Sequence, residues 1–243
     1  WTAIAIDFVI VVVGVFIGIQ VSNLNAARAD QARGRAYLER IRADLAEDVA
    51  QYDNRIRFWS QVSDYGLAGL HFSERGDAGG RTPWQLTLAY FQASQVAEYF
   101  SARSTYDEIQ SAGELGLIGD PDLRVSLGRY YSNTTNAGLS ERPAYREHVR
   151  GAIPIDIQLH IWKNCYRSST NNWQEMFDCP SPVDEAVAAD IARRIAGDAV
   201  LMAELRYWMS AMTATILIAQ NQRAYAIEIL SDANKAPGAS GAN

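Results

Sequence analysis

Lysine is nearly absent from this chain: Lys163 and Lys235 are the only two, against 28 acidic residues, and the formal net charge is -6. Nucleic-acid binders concentrate Lys and Arg on one face, so the shortage excludes nucleic acid as an expected partner. The arginines of the body are interspersed with acids and read as a mixed, solvated surface. Histidine is scarce too. His71, His148 and His160 share no metal-like spacing with cysteines or acids, and no helical pair of histidines brackets a glutamate. Also missing are a glycine loop of the P-loop or dinucleotide type and a glycine-flanked serine nucleophile. The chain therefore carries no catalytic or cofactor motif, and a non-enzymatic role is expected. Cysteine is limited to Cys165 and Cys179, which flank a polar segment containing Ser168, Ser169, Thr170, Asn171 and Asn172. A bridge between them would close a loop of about fifteen residues and stabilise by roughly 3 kcal/mol in the chain-entropy description. The expectation is a disulfide, with the body in an oxidising compartment.

What the chain does have is one long apolar run. Residues 3–21, AIAIDFVIVVVGVFIGIQV, are interrupted only by Asp7 and Gln20. As a helix they would span roughly 28 Å, close to the hydrocarbon thickness of a bilayer. The run continues into SNLNAARADQAR without proline or glycine before Gly34, unlike a cleavable signal peptide. Phe8 to Ile19 is apolar on every face, which suits lipid better than a one-sided soluble core. The chain opens on Trp1, so further residues are expected upstream, including any basic flank that sets orientation. Arg28, Arg33, Arg35 and Arg40 after the run would favour a cytoplasmic body, but Asp30 and Glu39 lie among them and large domains cross largely regardless of charge. The expected address is the bacterial inner membrane, single-pass, with the soluble body in the periplasm.

Within this anchor, Asp7, Gly14 and Gly18 fall within about 20 degrees of one helical face. Gly14-Val-Phe-Ile-Gly18 has the small-xxx-small spacing that lets a second helix approach closely, and a carboxylate in an apolar segment calls for a partner, neutralisation or the interface. Besides the lipid bilayer, the expected partner is another membrane protein rather than a second copy, because a closely packed carboxylate repels its own twin.

The body reads as all-α. Tyr37, Leu38, Ile41, Leu45, Val49, Tyr52, Ile56 and Trp59 recur at helical spacing, with Arg40, Asp44, Glu47 and Arg55 between them, so a long helix is expected over about 28–70. SERGDAGGR ends it. Thr82 and Pro83 start a helix expected to reach Phe100, with Gln85, Gln92 and Gln95 as its solvated face. Thr105 caps a short helix that Gly113 stops, and Leu123, Leu127, Tyr130 and Tyr131 belong to another extending toward Asn136. Residues 153–161 alternate like a strand, but their only candidate partner is 172–178, and Pro154 suits the first turn of a short helix ending near Cys165; helix is preferred. A helix follows Ser181-Pro182, and Asp198 opens a final long one carrying Leu201, Leu205, Trp208, Met209, Met212, Ile216, Ile227 and Leu230. Residues 207–219 are too short to cross a membrane. The organisation is thus an anchor over 1–26, a helical soluble domain over 27–235 and a flexible tail over 236–243, with the anchor running on into the long helix and the last helix packed against it.

Asp7 followed by FVIVVVGVFIGIQVSNLN, Tyr37-Leu38 with Leu45 and Asp48, then Tyr106, Gly113, Leu115, Ile118, Leu123 and Tyr130-Tyr131 resemble a family of single-anchor bacterial proteins catalogued as a domain of unknown function. The family's anchor opens on glutamate and closes on Gln-(Ile/Val)-Asn-Asn-Trp-Asn; here Asp7 and Ser22-Asn23-Leu24-Asn25 stand at those places. The match spans about residues 5–131 and implies topology without chemistry. The expected function is a membrane-anchored accessory protein, a non-catalytic subunit that binds or braces a membrane complex. The alternatives are a periplasmic sensor-like ligand-binding domain and an enzyme with an unrecognised site.

Overall fold

In a computed structural model, which describes residues 2–134, 142–169 and 173–235 with side chains from residue 10 onward, the protein is helical nearly throughout. The order is α1 (Thr2–Arg75), α2 (Pro83–Gln92), α3 (Ser104–Ser111), a 3-10 turn at Leu115–Leu117, α4 (Pro121–Asn133), α5 (Ala144–Ala152), α6 (Ile155–Asn164), a hairpin of β1 (Tyr166–Ser168) and β2 (Gln174–Met176), α7 (Glu185–Gly197) and α8 (Ala199–Lys235). The expected all-α class holds, with the N-terminal apolar helix continuing into the body. The helix end near Asn136, the tail from Ala236 and the polar residues Thr170, Asn171 and Asn172 lie outside the described residues.

α1 is continuous because nothing in it breaks the ladder: no proline occurs before Pro83, and Gly34, Gly66 and Gly69 are packing positions. A side chain at Gly34 would overlap Leu117, and one at Gly66 would overlap Met209. One seam of buried positions runs through Gly34, Leu38, Ile41, Leu45, Asp48, Tyr52, Arg55, Trp59, Val62 and Gly66, alternating by four and three residues, with Phe58, Ala68, Gly69 and Leu70 buried beside or beyond it. That is the seam spacing of a coiled coil. The stripe expected from sequence differs at three of its positions: Tyr37, Val49 and Ile56 are only half-buried, while Asp48 and Arg55 occupy the seam. The helix ends at Gly76, whose φ of 67° is the left-handed conformation that glycine adopts without steric cost.

The chain divides into two compact units, each with its own part of α1. The first takes residues 1–46, 102–131 and 228–243. In it, Tyr106 stacks on Tyr131 at 4.7 Å, Tyr37 donates to Glu114 at 2.6 Å, and Arg40 pairs with Glu108. Thr105 does not cap α3. The helix starts one residue earlier, and the Asp44 carboxylate from α1 accepts from the Thr105 amide at 3.2 Å, a tertiary contact doing the work of a cap. Gly113, at φ 70°, ends α3 as expected. At the far end of α8, Arg42 donates to the Ala233 carbonyl at 3.1 Å.

The second unit takes residues 47–101 and 132–227. Here α1 and α8 run antiparallel, joined by Glu74–Arg206 at 2.8 Å and Asp53–Arg223 at 2.6 Å. α2 enters through a full capping box: Thr82 accepts from the Gln85 amide and the Gln85 side chain returns to the Thr82 amide. α2 stops at Gln92 rather than Phe100, because Ala93 to Tyr99 leave the helix to pack inward, where Ser94, Gln95, Ala97 and Tyr99 are buried. Gln92 and Gln95 are therefore core residues, against the solvated face expected for them. α6 is helical as expected, and the segment around Gln174–Met176 is a strand after all, paired antiparallel with Tyr166–Ser168. In α8, Leu201, Leu205, Trp208, Met209 and Met212 are buried as expected, whereas Ile227 is exposed and Ala226 and Ile229 take the inner face. α7 begins at Glu185 with Asp184 as its N-cap, later than the Ser181-Pro182 signal suggests, because Ser181 closes a local turn onto Val183.

Trp208 is 3% exposed and donates its indole N–H to the Ala93 carbonyl at 2.9 Å. Replacing it with alanine removes packing and orphans that carbonyl, so Trp208→Ala should lower the unfolding free energy by about 3–5 kcal/mol in denaturant titration followed by circular dichroism.

Candidate functional site

Of the residues singled out for function, Gly14 and Gly18 lie one turn apart in α1 with no atom within 4 Å of where a Cβ would stand. Around them Val11, Val15, Phe16 and Ile17 are each more than half exposed. Asp7 is on the same helix; its side chain lies outside the described residues. Among the described residues, α1 is the one helix long and apolar enough to cross a membrane.

Cys165 and Cys179 are joined by a disulfide, with their Cα atoms 5.2 Å apart. The sequence places Cys165 just before β1 and Cys179 just after β2, so the bridge closes the base of the hairpin, and the Phe177 amide donates to the Cys165 carbonyl at 3.2 Å beside it. Gln61 of α1 fastens β2 by both ends of its amide, donating to the Met176 carbonyl at 3.2 Å and accepting from the Met176 amide at 3.3 Å. His160 stands close by, with a ring nitrogen and the two sulfurs all within 4.8 Å of one another, although its spacing in sequence suggests nothing of the kind. Both sulfurs are committed to each other. The ring is also occupied: Nε2 donates to the Pro180 carbonyl at 2.9 Å, and Nδ1 accepts from Asn164 at 3.1 Å. This cluster is a structural clasp.

Sequence reasoning missed the polar groups of the second unit's interior. Arg55, 3% exposed, donates to Gln174 Oε1 at 2.7 Å, and the Gln174 amide donates onward to the Tyr166 hydroxyl oxygen at 2.7 Å. A parallel relay runs from Arg150 to Gln95 at 3.1 Å, from Gln95 to Gln92 at 3.2 Å, and from Gln92 to the Cys165 carbonyl at 3.1 Å. Arg150 also donates to the Ser94 hydroxyl at 2.9 Å, and its guanidinium lies 4.8 Å from the Phe91 ring centre and 5.2 Å from that of Trp162. Arg146 donates to the Ser94 carbonyl at 2.7 Å. Burial disfavours the charged form of all three arginines, and the pKa of Arg150 falls to about 10. The signal that could have found Arg55 is its spacing: three residues after Tyr52 and four before Trp59, it sits in the apolar seam.

The other titratable contact lies on the surface. His148 Nδ1 is 2.8 Å from Glu204 Oε1, and that hydrogen bond holds the imidazole pKa above its usual 6.5. No family model matches this chain, and comparison with curated proteins and with solved structures returns no match.

Two outcomes follow. Mass analysis without reduction should find neither Cys165 nor Cys179 alkylated, and Cys165→Ser with Cys179→Ser should reduce stability by about 3 kcal/mol. Because the folded pKa of His148 is raised, its contribution to stability is fully present below pH about 6.5 and is lost as pH rises through the higher folded value. His148→Gln should remove that part of the pH dependence of thermal unfolding and leave the rest.

Proposed function

We propose that this chain is a membrane-anchored helical accessory protein, a non-catalytic subunit that binds or braces a membrane protein complex through the N-terminal stretch of α1 and through an extracytoplasmic body. The observation that carries the reading is the continuity of α1. One helix holds a 2–26 stretch whose described apolar side chains lie open on all sides and a later stretch whose seam is packed, without a flexible joint between them. Such a helix transmits position from a bilayer to a folded body.

Lipid fits most of the exposed surface, and the Gly14–Gly18 face fits a second helix, since van der Waals packing against small residues drives association where no hydrophobic effect operates. Asp7 on that face favours a different protein over a second copy of this chain. The clasped hairpin favours the periplasm, because disulfides persist in oxidising compartments. The resemblance of residues 5–131 to single-anchor bacterial proteins accords with the inner membrane.

Replacing Gly14 and Gly18 together with isoleucine should release the partner in mild detergent while the circular dichroism of the body is unchanged. Unaltered co-migration of the double variant on a native gel would refute this use of the anchor.

A further inference from the structure

The end of α1, the loop after it, the start of α2 and one face of α7 enclose a cleft of about 270 Å³ within the second unit. Side chains fasten its frame: Ser73 donates to the Ala196 carbonyl at 2.7 Å, and Thr87 donates to the Ala188 carbonyl at 2.9 Å. The volume lies just below the roughly 300–1,000 Å³ of sites for drug-sized ligands, so an occupant has to be small. Phe72, Ala78, Pro83, Leu86, Ala189 and Ala192 make the lining apolar. Its only polar side chains are those of Arg81 and Arg193.

The loop sets the place of Arg81. Its amide donates to the Ala78 carbonyl at 3.0 Å, and its Nη1 lies 3.1 Å from where a Cβ on Gly79 would stand, so a side chain at 79 would crowd the guanidinium. Arg81 and Arg193 are both exposed, and neither side chain makes a hydrogen bond or ion pair among the described residues.

The acids that could neutralise them are engaged elsewhere. Glu74, Asp77 and Asp190 are those within two residues of the lining along the chain. Glu74 pairs with Arg206 at 2.8 Å, Asp190 pairs with Arg194 at 3.0 Å, and Asp77 accepts from the Gly79 amide at 2.8 Å. The Tyr65 hydroxyl feels both Arg81 and Asp178, but the Asp178 carboxylate accepts from Tyr65 itself and from Gln85, the latter at 2.8 Å. α2 begins at Pro83 in this wall and adds the positive end of a helix dipole. Arginine only donates, so the polar end of a ligand must bring acceptors, and two cations beside an apolar slot call for an anion with an apolar tail. Carboxylate matches the guanidinium fork in a bidentate pair.

We infer that this cleft binds a short-chain aliphatic carboxylate, its head group received by Arg81 and Arg193 and its alkyl chain lying on Leu86, Ala189 and Ala192. Neither the anchor nor any partner at Gly14 and Gly18 enters this inference. The binding would make the second unit responsive to a small acid without any catalytic step.

Hexanoate serves as probe in titration calorimetry of the full chain in nanodiscs against empty nanodiscs, with acetate, which lacks the chain, and 1-hexanol, which lacks the charge, as contrasts. Hexanoate should saturate the protein, and each contrast should bind at least about tenfold more weakly. Arg81→Gln and Arg193→Gln should each weaken hexanoate about fivefold, and the double variant at least about tenfold. Because both side chains are exposed, these variants remain folded. Ala189→Leu, which fills the cleft from α7, should abolish binding; should it fail to fold, the arginine variants decide alone. The inference is overturned by an absence of saturable hexanoate binding up to about 10 mM. It is equally overturned by hexanoate affinity unchanged in the double arginine variant, or by acetate or 1-hexanol binding as tightly as hexanoate.

Discussion

The alternation of four and three residues along α1, from Gly34 to Gly66, is the constraint on which the rest depends. A 3.5-residue repeat keeps one seam of a helix facing its neighbours over many turns, where a looser pattern would drift around the axis. Each unit has its own buried positions on α1. In the first, Leu38, Ile41 and Leu45 are buried; in the second, Tyr52 stacks on Tyr99 at 4.2 Å, Trp59 donates to the Ala97 carbonyl at 3.2 Å, and Val62 is buried. α8 answers with the same spacing at Leu205, Trp208, Met212, Thr215 and Ala219. Glycine at 34 and 66 lets neighbours approach where any side chain would collide.

The seam is not wholly apolar. Asp48 and Arg55 occupy positions that leucine would fill in a simple bundle. Burying such groups is costly unless their hydrogen bonds are made inside the protein. Ser101 donates to Asp48 at 2.9 Å, and Gln174 accepts from Arg55 at 2.7 Å. These bonds tie α1 to the non-helical segment after α2 and to the hairpin, two non-helical parts of the second unit. Apolar packing could hold either in several registers. Directional bonds to Arg55, together with the Gln61 amide clamp on Met176, select one.

The disulfide completes that logic. A hairpin of two three-residue strands is not stable alone. The Cys165–Cys179 bridge at its base and the Gln61 clamp at its edge replace the core it lacks. The hairpin then supplies Tyr166 and Gln174 to the relay from Arg55, so covalent chemistry at one end sets the geometry of polar groups at the other.

What the sequence determines here is what depends on neighbours three or four residues away. The apolar run of 3–21, the Thr82 cap ahead of Pro83, the left-handed stop at Gly113 and the Asp198 start of α8 are local effects, and all are legible without a fold. So is helix over strand at Ile155–Asn164, where Pro154 precedes the first turn. The tertiary structure decides where a local preference meets a distant partner. Gln92 and Gln95 look like a wet helix face until Arg150 donates to the Gln95 side-chain oxygen and the Cys165 carbonyl accepts from the Gln92 amide. Thr105 looks like a cap until Asp44, 61 residues earlier, takes the role. Arg55 looks solvated until Gln174, 119 residues later, meets it in the core. A polar side chain carries no mark of the partner that will satisfy it, because hydrogen-bond compensation is a property of two chain positions and becomes visible only when folding brings them within 3 Å or so.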